Sequence, residues 1–480
     1  MRAVLGIDLG TSSVKVIALS DSGQPLTAAT ASYPLSHPGD GQSEQDPDHW
    51  WRATVHAVQS VSAACRRAGN DIVAIGLSGQ MHGLVAIAQG RCSVPADGAA
   101  LRPCILWNDQ RAVAECAELE SILGGPHRLV QETGNGAFPG FTLPKLLWMR
   151  RHEPALWNRI GMVLLPKDYL RWRLTGEFAT DVGDASGTSF FDPASRTWNP
   201  GILGAANINP EWLPVVHESA AVAGRLTPAA AELLGLSPHL PVAAGSGDNM
   251  AGAVGAGVIR PGTCLVALGT SGVVLSPTSH CQPDLPTAGP VGRTHTMCHA
   301  DGTETRPGGW CITGCTLSAG YALQWAHDSL WPDVSYETLY AEAASTLPGA
   351  EGLVFLPQLT GERCPFPDAK ARAAWVGLSA RHTRGHLIRA ILEGVTFTLE
   401  QIYRIQRTQG ASASEVSLGG GGARAPFWRQ LVADIFDLPV ITSTSEDTPA
   451  LGAAILGGVA AAVWPDVPTA VRAAVVTRER

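Results

Sequence analysis

The sequence has little charge, and it lacks long runs of either charge sign. Charged residues make up 16% of the 480 residues, and the formal net charge is −8. A clustered basic surface is the usual mark of a protein that binds nucleic acid, so we expect no nucleic-acid partner. Any phosphate site must then be built locally, from backbone amides, a metal ion or a few basic side chains.

Paired CxxC cysteines are also missing. The chain has 10 cysteines, and the closest two, Cys311 and Cys315, are four residues apart. This pattern predicts free thiols in a reducing compartment and no zinc site. The N-terminal residues lack the apolar core of a signal peptide, and the apolar run 453–464 is too short for a membrane span. We therefore expect a cytoplasmic protein without a membrane partner.

Glycine and proline are abundant instead. The chain contains 53 Gly and 34 Pro, and 45% of its residues are hydrophobic. This composition predicts a compact, loop-rich protein rather than a disordered one. The length exceeds what one hydrophobic core supports, so we expect two large domains. We place them at residues 1–245 and 246–480.

A stretch of small residues surrounds Asp248. Residues 245–257 read GSGDNMAGAVGAG and follow an apolar run, 240–244, that predicts a buried strand. The stretch itself predicts a helix packed closely against another backbone. Asp248 is thus expected where strand turns into helix, where the first helical amides keep a carboxylate ionised at neutral pH. Such a carboxylate can take a proton from a hydroxyl. The alternative is that Asp248 only caps the helix.

Two similar hairpins are predicted, one opening each half. Residues 3–20 read as strand, turn and strand, and residues 265–275 repeat the order Leu-Gly-Thr-Ser between valine-rich flanks. The repeat suggests a duplicated architecture. The hairpin tips offer amides and hydroxyls to phosphate, and Asp8 could reach a magnesium ion directly or through water. The first hairpin is not a Walker A loop, because no GKS or GKT follows its glycines. The alternative is a plain structural turn.

Four consecutive glycines, residues 419–422, separate a predicted strand at 416–418 from a predicted helix at 427–436. Such a loop lets a flat ligand or a phosphate approach the backbone closely. The alternative is a flexible turn. A further helix of small residues, beginning at 448, is expected to pack beside this loop.

A polar turn follows the predicted strand 72–77. Its residues Gln80 and His82 could hydrogen-bond a polyol, because loops at strand ends usually carry ligand contacts. The alternative for His82 is a structural histidine. Residues 163–174 predict a helix, in which Asp168 is expected to be a cap or a first-turn charge.

These pieces, in this order, resemble the FGGY carbohydrate kinase family over nearly the whole chain. The matching motifs are 8–12 (DLGTS), 79–83 (GQMHG), 106–109 (LWND), 139–142 (PGFT), 165–170 (LPKDYL), 247–249 (GDN), 268–272 (LGTSG) and 420–424 (GGGAR). The resemblance implies an α/β fold of two actin-like (ribonuclease H-like) ATPase domains with a deep interdomain cleft that closes by a hinge. Glycerol kinases look different at residues 79–83.

The resemblance also implies an activity and residue roles. It implies ATP-dependent phosphorylation of D-xylulose at its 5-hydroxyl, with Asp248 as the base and Asp8 helping to hold Mg²⁺. The residues that would line the sugar are Met81, His82, Asp248 and Asn249. The residues that would hold the nucleotide and its phosphates are Thr11, Ser12, Gly269, Thr270, Gly420, Gly421, Gly422 and Ala423.

Alternatives stay open within and outside this family. The sugar could be another ketose or an alditol, because loops do not reveal the stereochemistry of one hydroxyl. A non-catalytic actin-like protein that senses a nucleotide is the alternative outside enzymes, although binding alone needs no base. The stretch 303–315 is longer and richer in Gly and Cys than the family pattern, which could alter the nucleotide side or an oligomer contact. A homodimer is one possible assembly.

Overall fold

The computed structural model describes residues 1–90, 100–445 and 447–479. It is an α/β protein of two compact units. Unit 1 comprises residues 1–259, 296–310 and 447–475, and unit 2 comprises 260–295, 311–446 and 476–480. The domain boundary expected after Gly245 falls inside unit 1.

Up to residue 255, unit 1 contains both strands and helices. The strands are β1 (Arg2–Leu9), β2 (Ser13–Ser20), β3 (Pro25–Ser32), β4 (Glu44–Gln45), β5 (Asp71–Gly79), β6 (Val85–Ala88), β7 (Cys104–Ile105), β8 (Ile160–Leu164), β9 (Ala179–Asp181), β10 (Phe191–Asp192), β11 (Thr197–Trp198), β12 (Val215–His217), β13 (Val222–Arg225), β14 (Pro241–Ala243) and β15 (Ser246–Gly247). The helices are α1 (Pro47–Arg67), α2 (Val113–Leu123), α3 (Pro126–Thr133), α4 (Thr142–His152), α5 (Pro154–Trp157), α6 (Pro166–Thr175), α7 (Val182–Ala185), α8 (Pro200–Ala206), α9 (Pro228–Leu234) and α10 (Asp248–Gly255).

The remaining elements complete the chain. The strands are β16 (Gly262–Leu268), β17 (Gly272–Thr278), β18 (His295–Cys298), β19 (Trp310–Thr316), β20 (Val354–Leu356), β21 (Ala374–Val376), β22 (Ala413–Gly419), β23 (Val440–Ser443) and β24 (Thr477–Glu479). The helices are α11 (Gly320–Leu330), α12 (Tyr336–Ser345), α13 (Arg384–Thr408), α14 (Pro426–Phe436), α15 (Thr448–Ala460) and α16 (Val467–Ala474). Within the described part of the chain, none of the helices has the length and apolar character needed to cross a membrane.

The two predicted hairpins are confirmed, and each has the same neighbours. In unit 1 the strand order is β13-β14-β5-β1-β2-β3, and β15 also pairs with β5. Unit 2 contains the order β19-β17-β16-β22-β23-β24. In both sheets the first hairpin strand pairs antiparallel with the second and parallel with a later strand, β1 with β5 and β16 with β22. The repeated sequence therefore reflects a repeated topology.

Helix α15 belongs to unit 1 and packs against β5 and α10 with almost no side chain between the backbones. A Cβ added at Gly76 in β5 would lie 1.8 Å from the carbonyl oxygen of Ala453, and one at Gly452 would lie 1.8 Å from that of Ala251 in α10. The contacts of α15 within unit 1 therefore include β5 and α10, and its expected packing beside the loop 419–422 stays a prediction. Its small residues serve close contact with β5 and α10, which brings the C-terminal segment into unit 1.

The bounds of one predicted helix need correction, and the structure divides the stretch 303–315 between the two units. The predicted helix 163–174 begins too early, because residues 163 and 164 belong to β8 and α6 begins at Pro166. The stretch 303–315 is not one feature. Its first part belongs to unit 1, where Gly308 N–H donates to Glu218 Oε2 at 3.2 Å, and its second part forms most of β19.

We expect Gly76→Ala to destabilise the protein by about 3 kcal/mol or more, because the added methyl must push α15 away from β5. The matched control is Gly204→Ala in α8, where an added Cβ meets nothing within 4 Å. That change should stabilise the helix by about 0.5–1 kcal/mol. Urea unfolding of both variants tests this, and a wild-type midpoint for Gly76→Ala would contradict the packing described.

Candidate active site

Asp8 and Asp248 lie at the same edge of the first sheet. Strands β1 and β15 both run parallel to β5, and the register places Leu9 beside Gly79 and Gly247 beside Gly79. The carboxyl ends of these strands therefore meet in one row, where open α/β sheets usually bind ligands. Asp8 lies one residue before this row, and Asp248 lies one residue after it.

Asp248 is the first residue of α10. Gly247 holds the N-cap position, so the alternative in which Asp248 only caps the helix is wrong. A Cβ at Gly247 would lie 2.6 Å from Met81 Cγ, and so glycine is what lets β15 approach Met81 this closely. The strand-to-helix turn predicted from the sequence is confirmed, and its small residues bring Asp248 close to the Met81 turn.

Burial and, second, the negative charge of Asp8 raise the pKa of Asp248 to about 7, and the backbone N–H of Asn249 opposes both effects. The expectation of a fully ionised carboxylate at neutral pH is therefore wrong, because desolvation and like-charge repulsion outweigh the helix terminus. Protonated and ionised forms are both well populated near pH 7. A base with a pKa near the working pH is well suited to accept a proton.

Asp8 is half-buried near the end of β1. Burial, with a smaller contribution from the charge of Asp447, raises its pKa to about 6, and the Ser78 hydroxyl and the charge of Lys15 oppose the rise. Lys15 also forms an ion pair with Asp447. The Oδ1 atom of Asp8 is buried and has no hydrogen-bond partner among the described residues. An unsatisfied buried carboxylate oxygen is costly unless a ligand completes it.

The donor set fits magnesium better than a metal held by protein alone. Asp8 and Asp248 supply carboxylate oxygens, the ligands that Mg²⁺ prefers. The described residues contain no group of three or more His, Cys, Asp or Glu side chains that could hold a metal ion. Magnesium usually keeps several waters and takes one or two carboxylates together with phosphate oxygens. The unpartnered Oδ1 of Asp8 fits that role.

His82 is held in an unusual conformation by several contacts. Its φ is +67°, in the left-handed region that favours glycine. Its Nδ1 donates to the carbonyl of Gly187 at 2.8 Å, and its ring stacks on Phe141 with centroids 4.2 Å apart. Its own carbonyl accepts from Thr142 Oγ1 at 3.0 Å and from Lys145 Nζ at 2.8 Å. A strained residue fixed this firmly is a candidate for function.

Met81, in the polar turn, contacts the residues on either side of Asp248. It is buried, and its sulfur accepts a hydrogen bond from Asn249 Nδ2 at 3.5 Å. Asn249 follows Asp248 directly and is exposed. The structure therefore brings together the residues expected to serve the sugar and the proton: Asp8, Met81, His82, Asp248 and Asn249.

Thr11 and Ser12 lie at the tip of the first hairpin, as predicted. The Thr11 hydroxyl accepts a hydrogen bond from Trp107 Nε1 at 3.1 Å, and the Thr11 carbonyl accepts one from Gln45 Nε2 at 2.6 Å. The carbonyl of Ser12 accepts from the backbone N–H of Tyr33 at 3.2 Å. The tip is thus held in place by three neighbouring segments.

A cavity of about 1060 Å³ lies within unit 2. The predicted nucleotide residues that border it are Gly269, Thr270, Gly421 and Gly422. Gly420 and Ala423 do not border the cavity. Gly420 has φ +83°, and a Cβ there would lie 2.5 Å from the Leu268 carbonyl oxygen. Ala423 N–H donates to the Gly420 carbonyl at 3.1 Å. Both residues therefore hold the backbone of the loop in its conformation.

Sequence reasoning missed the aromatic residues of this cavity. They are Tyr336, Tyr340, Phe427 and Trp428. They come from α12 and α14, which are distant in sequence, so no local pattern joins them. The one available signal was the position of Phe427 and Trp428 directly after the glycine loop. Aromatic faces beside glycine backbone suit a flat ring and a phosphate chain.

Asp168 is a first-turn residue of α6 as predicted, but it belongs to a buried ion cluster. The cluster consists of Lys167, Asp168, Arg171, Asp181 and Asp184, all completely buried. Lys167 lies 2.6 Å from Asp168 and 2.9 Å from Asp181. Asp181 also accepts a hydrogen bond from Ser246 Oγ at 3.0 Å, which fixes β15, the strand directly before Asp248.

Known proteins match the chain along most of its length. The N-terminal domain model of the FGGY family of carbohydrate kinases matches residues 3–255, and the C-terminal domain model matches 264–461. Xylulose kinase of Escherichia coli (strain K12) is 40% identical over 459 residues, which is 95% of this chain and 90% of the relative.

Solved structures agree with this assignment. The crystal structure of xylulose kinase from Rhodospirillum rubrum has a TM-score of 0.90 at 31% identity, covering 100% of this chain and 93% of that one. Gluconate kinase from Lactobacillus acidophilus has a TM-score of 0.89 at 25% identity, with coverage of 100% and 93%. The predicted fold class, two actin-like α/β domains, is confirmed. The chain therefore belongs to the FGGY family of carbohydrate kinases, and it is a kinase that phosphorylates a sugar.

Proposed function

We propose that this protein uses ATP to phosphorylate D-xylulose at its 5-hydroxyl, which makes it a xylulose kinase. The observation that carries the proposal is the placement of Asp248 beside Met81 and Asn249, at the sheet edge that also holds Asp8. Its raised pKa suits a group that must accept a proton. The names of the relatives from Escherichia coli and Rhodospirillum rubrum support the choice of sugar.

Asp248 is the proposed general base. As the 5-hydroxyl oxygen attacks the γ-phosphorus of ATP, the hydroxyl proton passes to the Asp248 carboxylate. The new O–P bond forms while the bond from the γ-phosphorus to the β,γ-bridging oxygen breaks, and ADP leaves. The proton then passes from Asp248 to solvent. Phosphoryl transfer needs alignment and charge neutralisation more than covalent help, so one positioned carboxylate suffices.

Asp8 is the residue that would hold Mg²⁺, through its unpartnered Oδ1 or through water. Bound magnesium supplies positive charge that neutralises the phosphates during transfer. The tip with Thr11 and Ser12 offers backbone amides and hydroxyls to the same phosphates. The charge of Asp8 also raises the pKa of Asp248, and so it has a second effect on the base.

We assign the sugar to the turn that carries Met81 and His82. Because Nδ1 of His82 donates to Gly187, Nε2 is the acceptor in the neutral ring, and a sugar hydroxyl can donate to it. Met81 supplies an apolar surface, and Asn249 supplies amide donors and an acceptor. These groups can fix a polyol without any charge of their own.

We assign the adenosine of ATP to the cavity of unit 2, next to Gly421, Gly422 and the aromatic residues from α12 and α14. The β- and γ-phosphates lie, in this proposal, at the turn of Gly269 and Thr270. Gly420 and Ala423 contribute by holding the loop in shape rather than by direct contact.

A kinase for another ketose or an alditol is the nearest alternative, since gluconate kinase shares this fold. A coupled ADP-release assay with Mg-ATP and a panel of ketoses, alditols, gluconate and glycerol separates the cases. We expect a clear preference for D-xylulose. Preference for another sugar would be compatible with the proposed mechanism but would show that D-xylulose is not the substrate. No sugar-dependent ADP release would favour the nucleotide sensor.

Asp248→Asn should lower kcat by about 10²–10⁴-fold, since the general base is lost. It should also raise Tm at pH 8 by about 2 °C or more. The folded-state pKa of Asp248 lies above its ordinary value, so ionising the carboxyl lowers the free energy of unfolding. This loss grows as the pH rises from about 4 to about 7 and stays constant above that. The gain in Tm should therefore shrink at pH 5. Exposed Asp71→Asn is the control, and equal effects of both changes would contradict the assignment.

The pH dependence of wild-type kcat/KM should report the same group. We expect kcat/KM for D-xylulose to fall below about pH 7, because the free enzyme must carry an ionised Asp248. Initial rates between pH 5 and 9 measure this at constant ionic strength. A flat profile down to pH 5 would mean that no group with this pKa acts as the base.

His82→Ala should raise the KM for sugar about tenfold, the effect of one lost hydrogen bond. The KM for ATP should stay within about twofold. Exposed His56→Ala is the matched control. Steady-state kinetics with each substrate varied in turn test this, and an unchanged sugar KM would remove His82 from the sugar site.

A further inference from the structure

Lys145 is a buried lysine whose ammonium, within the described residues, donates its hydrogen bonds to backbone carbonyls. It is the fourth residue of α4 and has no exposed surface. Its Nζ donates to the carbonyl of His82 at 2.8 Å, to that of Ile105 at 3.0 Å and to that of Leu106 at 3.1 Å. All three donors of the ammonium are thereby used.

Burying this lysine lowers the stability of the folded state. Lys167, the other fully buried lysine of unit 1, lies within ion-pair distance of three carboxylates, whereas the acceptors of Lys145 in the described chain are carbonyls alone. Burial lowers the pKa of Lys145 to about 7. A cation near the N-terminal end of a helix is also disfavoured by the helix dipole. An apolar side chain would fill the site at less cost, so stability alone does not explain the lysine.

The three carbonyls belong to two separate segments. One is the polar turn that carries Met81 and His82. The other leaves β7 and continues into Trp107, whose Nε1 donates to the Thr11 hydroxyl at 3.1 Å. One ammonium therefore ties the turn assigned to the sugar to the segment that contacts the tip of the first hairpin.

We propose that Lys145 is a positioning residue for the sugar site. It acts through the His82 carbonyl, holding that residue in its left-handed backbone conformation, and through the carbonyls of Ile105 and Leu106. The inference rests on the proposed function in one respect, the assignment of the sugar to the turn with Met81 and His82. It adds a requirement for a hydrogen-bond donor that reaches both segments behind that turn.

Lys145→Met tests this, because methionine fills a similar volume and donates no hydrogen bond. We expect the sugar KM to rise about tenfold or more, with the KM for ATP within about twofold of wild type. Lys145→Gln keeps an amide donor but cannot reach all three carbonyls, so its sugar KM should rise about threefold. Equilibrium dialysis with D-xylulose should show the same order of affinities.

Leu147→Ala, in the apolar core on the same helix, is the control for general destabilisation. It should lower Tm and leave the sugar KM unchanged at a temperature where the variant is folded. A wild-type sugar KM in Lys145→Met overturns the inference, and so does an equal rise in Leu147→Ala. If Lys145→Met does not fold, an unchanged sugar KM in Lys145→Gln overturns it. An inactive wild-type protein would instead reject the proposed function.

Discussion

The carboxylates of Asp8 and Asp248 lie half-buried at one sheet edge, where the negative charge of Asp8 disfavours ionisation of Asp248. Burial and this charge raise the pKa of Asp248 and leave it able to accept a proton near neutral pH, while burial raises the pKa of Asp8. A fold selected for stability alone would separate the charges or replace one. Here the parallel register of β1, β5 and β15 holds them together. The cost to stability is what makes the pair suited to a positive ion and a hydroxyl proton.

Rigid surroundings keep this unfavourable pair in place. Glycine lets α15 lie against β5 and α10 almost backbone to backbone, and the buried ion cluster fixes β15 through the hydrogen bond from Ser246 to Asp181. Gly247 lets β15 approach Met81. Position within about half an ångström matters for phosphoryl transfer, since the chemistry depends on alignment. The small residues and buried charges thus serve one purpose, which is to hold the site still.

Much of this was predictable from local patterns. The hairpins, the turn before Asp248 and the glycine loop were found because their signals are contiguous: alternating strands, small residues, and glycine between strand and helix. The ionisation of Asp248 was not predictable, because it depends on burial and on Asp8, which lies 240 positions earlier. Lys145 and the aromatic residues of the unit 2 cavity were missed for the same reason. Their roles come from segments that only the fold brings together, as does the burial of Asp168.

The proposed role of Asp248 as the base depends on a pKa that burial and Asp8 raise. The most direct measurement is the ¹³C chemical shift of the Asp248 carboxyl carbon as a function of pH, in the wild type and in Asp8→Asn, without metal or nucleotide. We expect a pKa of about 7 in the wild type and a lower value when Asp8 loses its charge. A wild-type pKa near the ordinary value of about 4, unchanged in Asp8→Asn, would contradict this expectation.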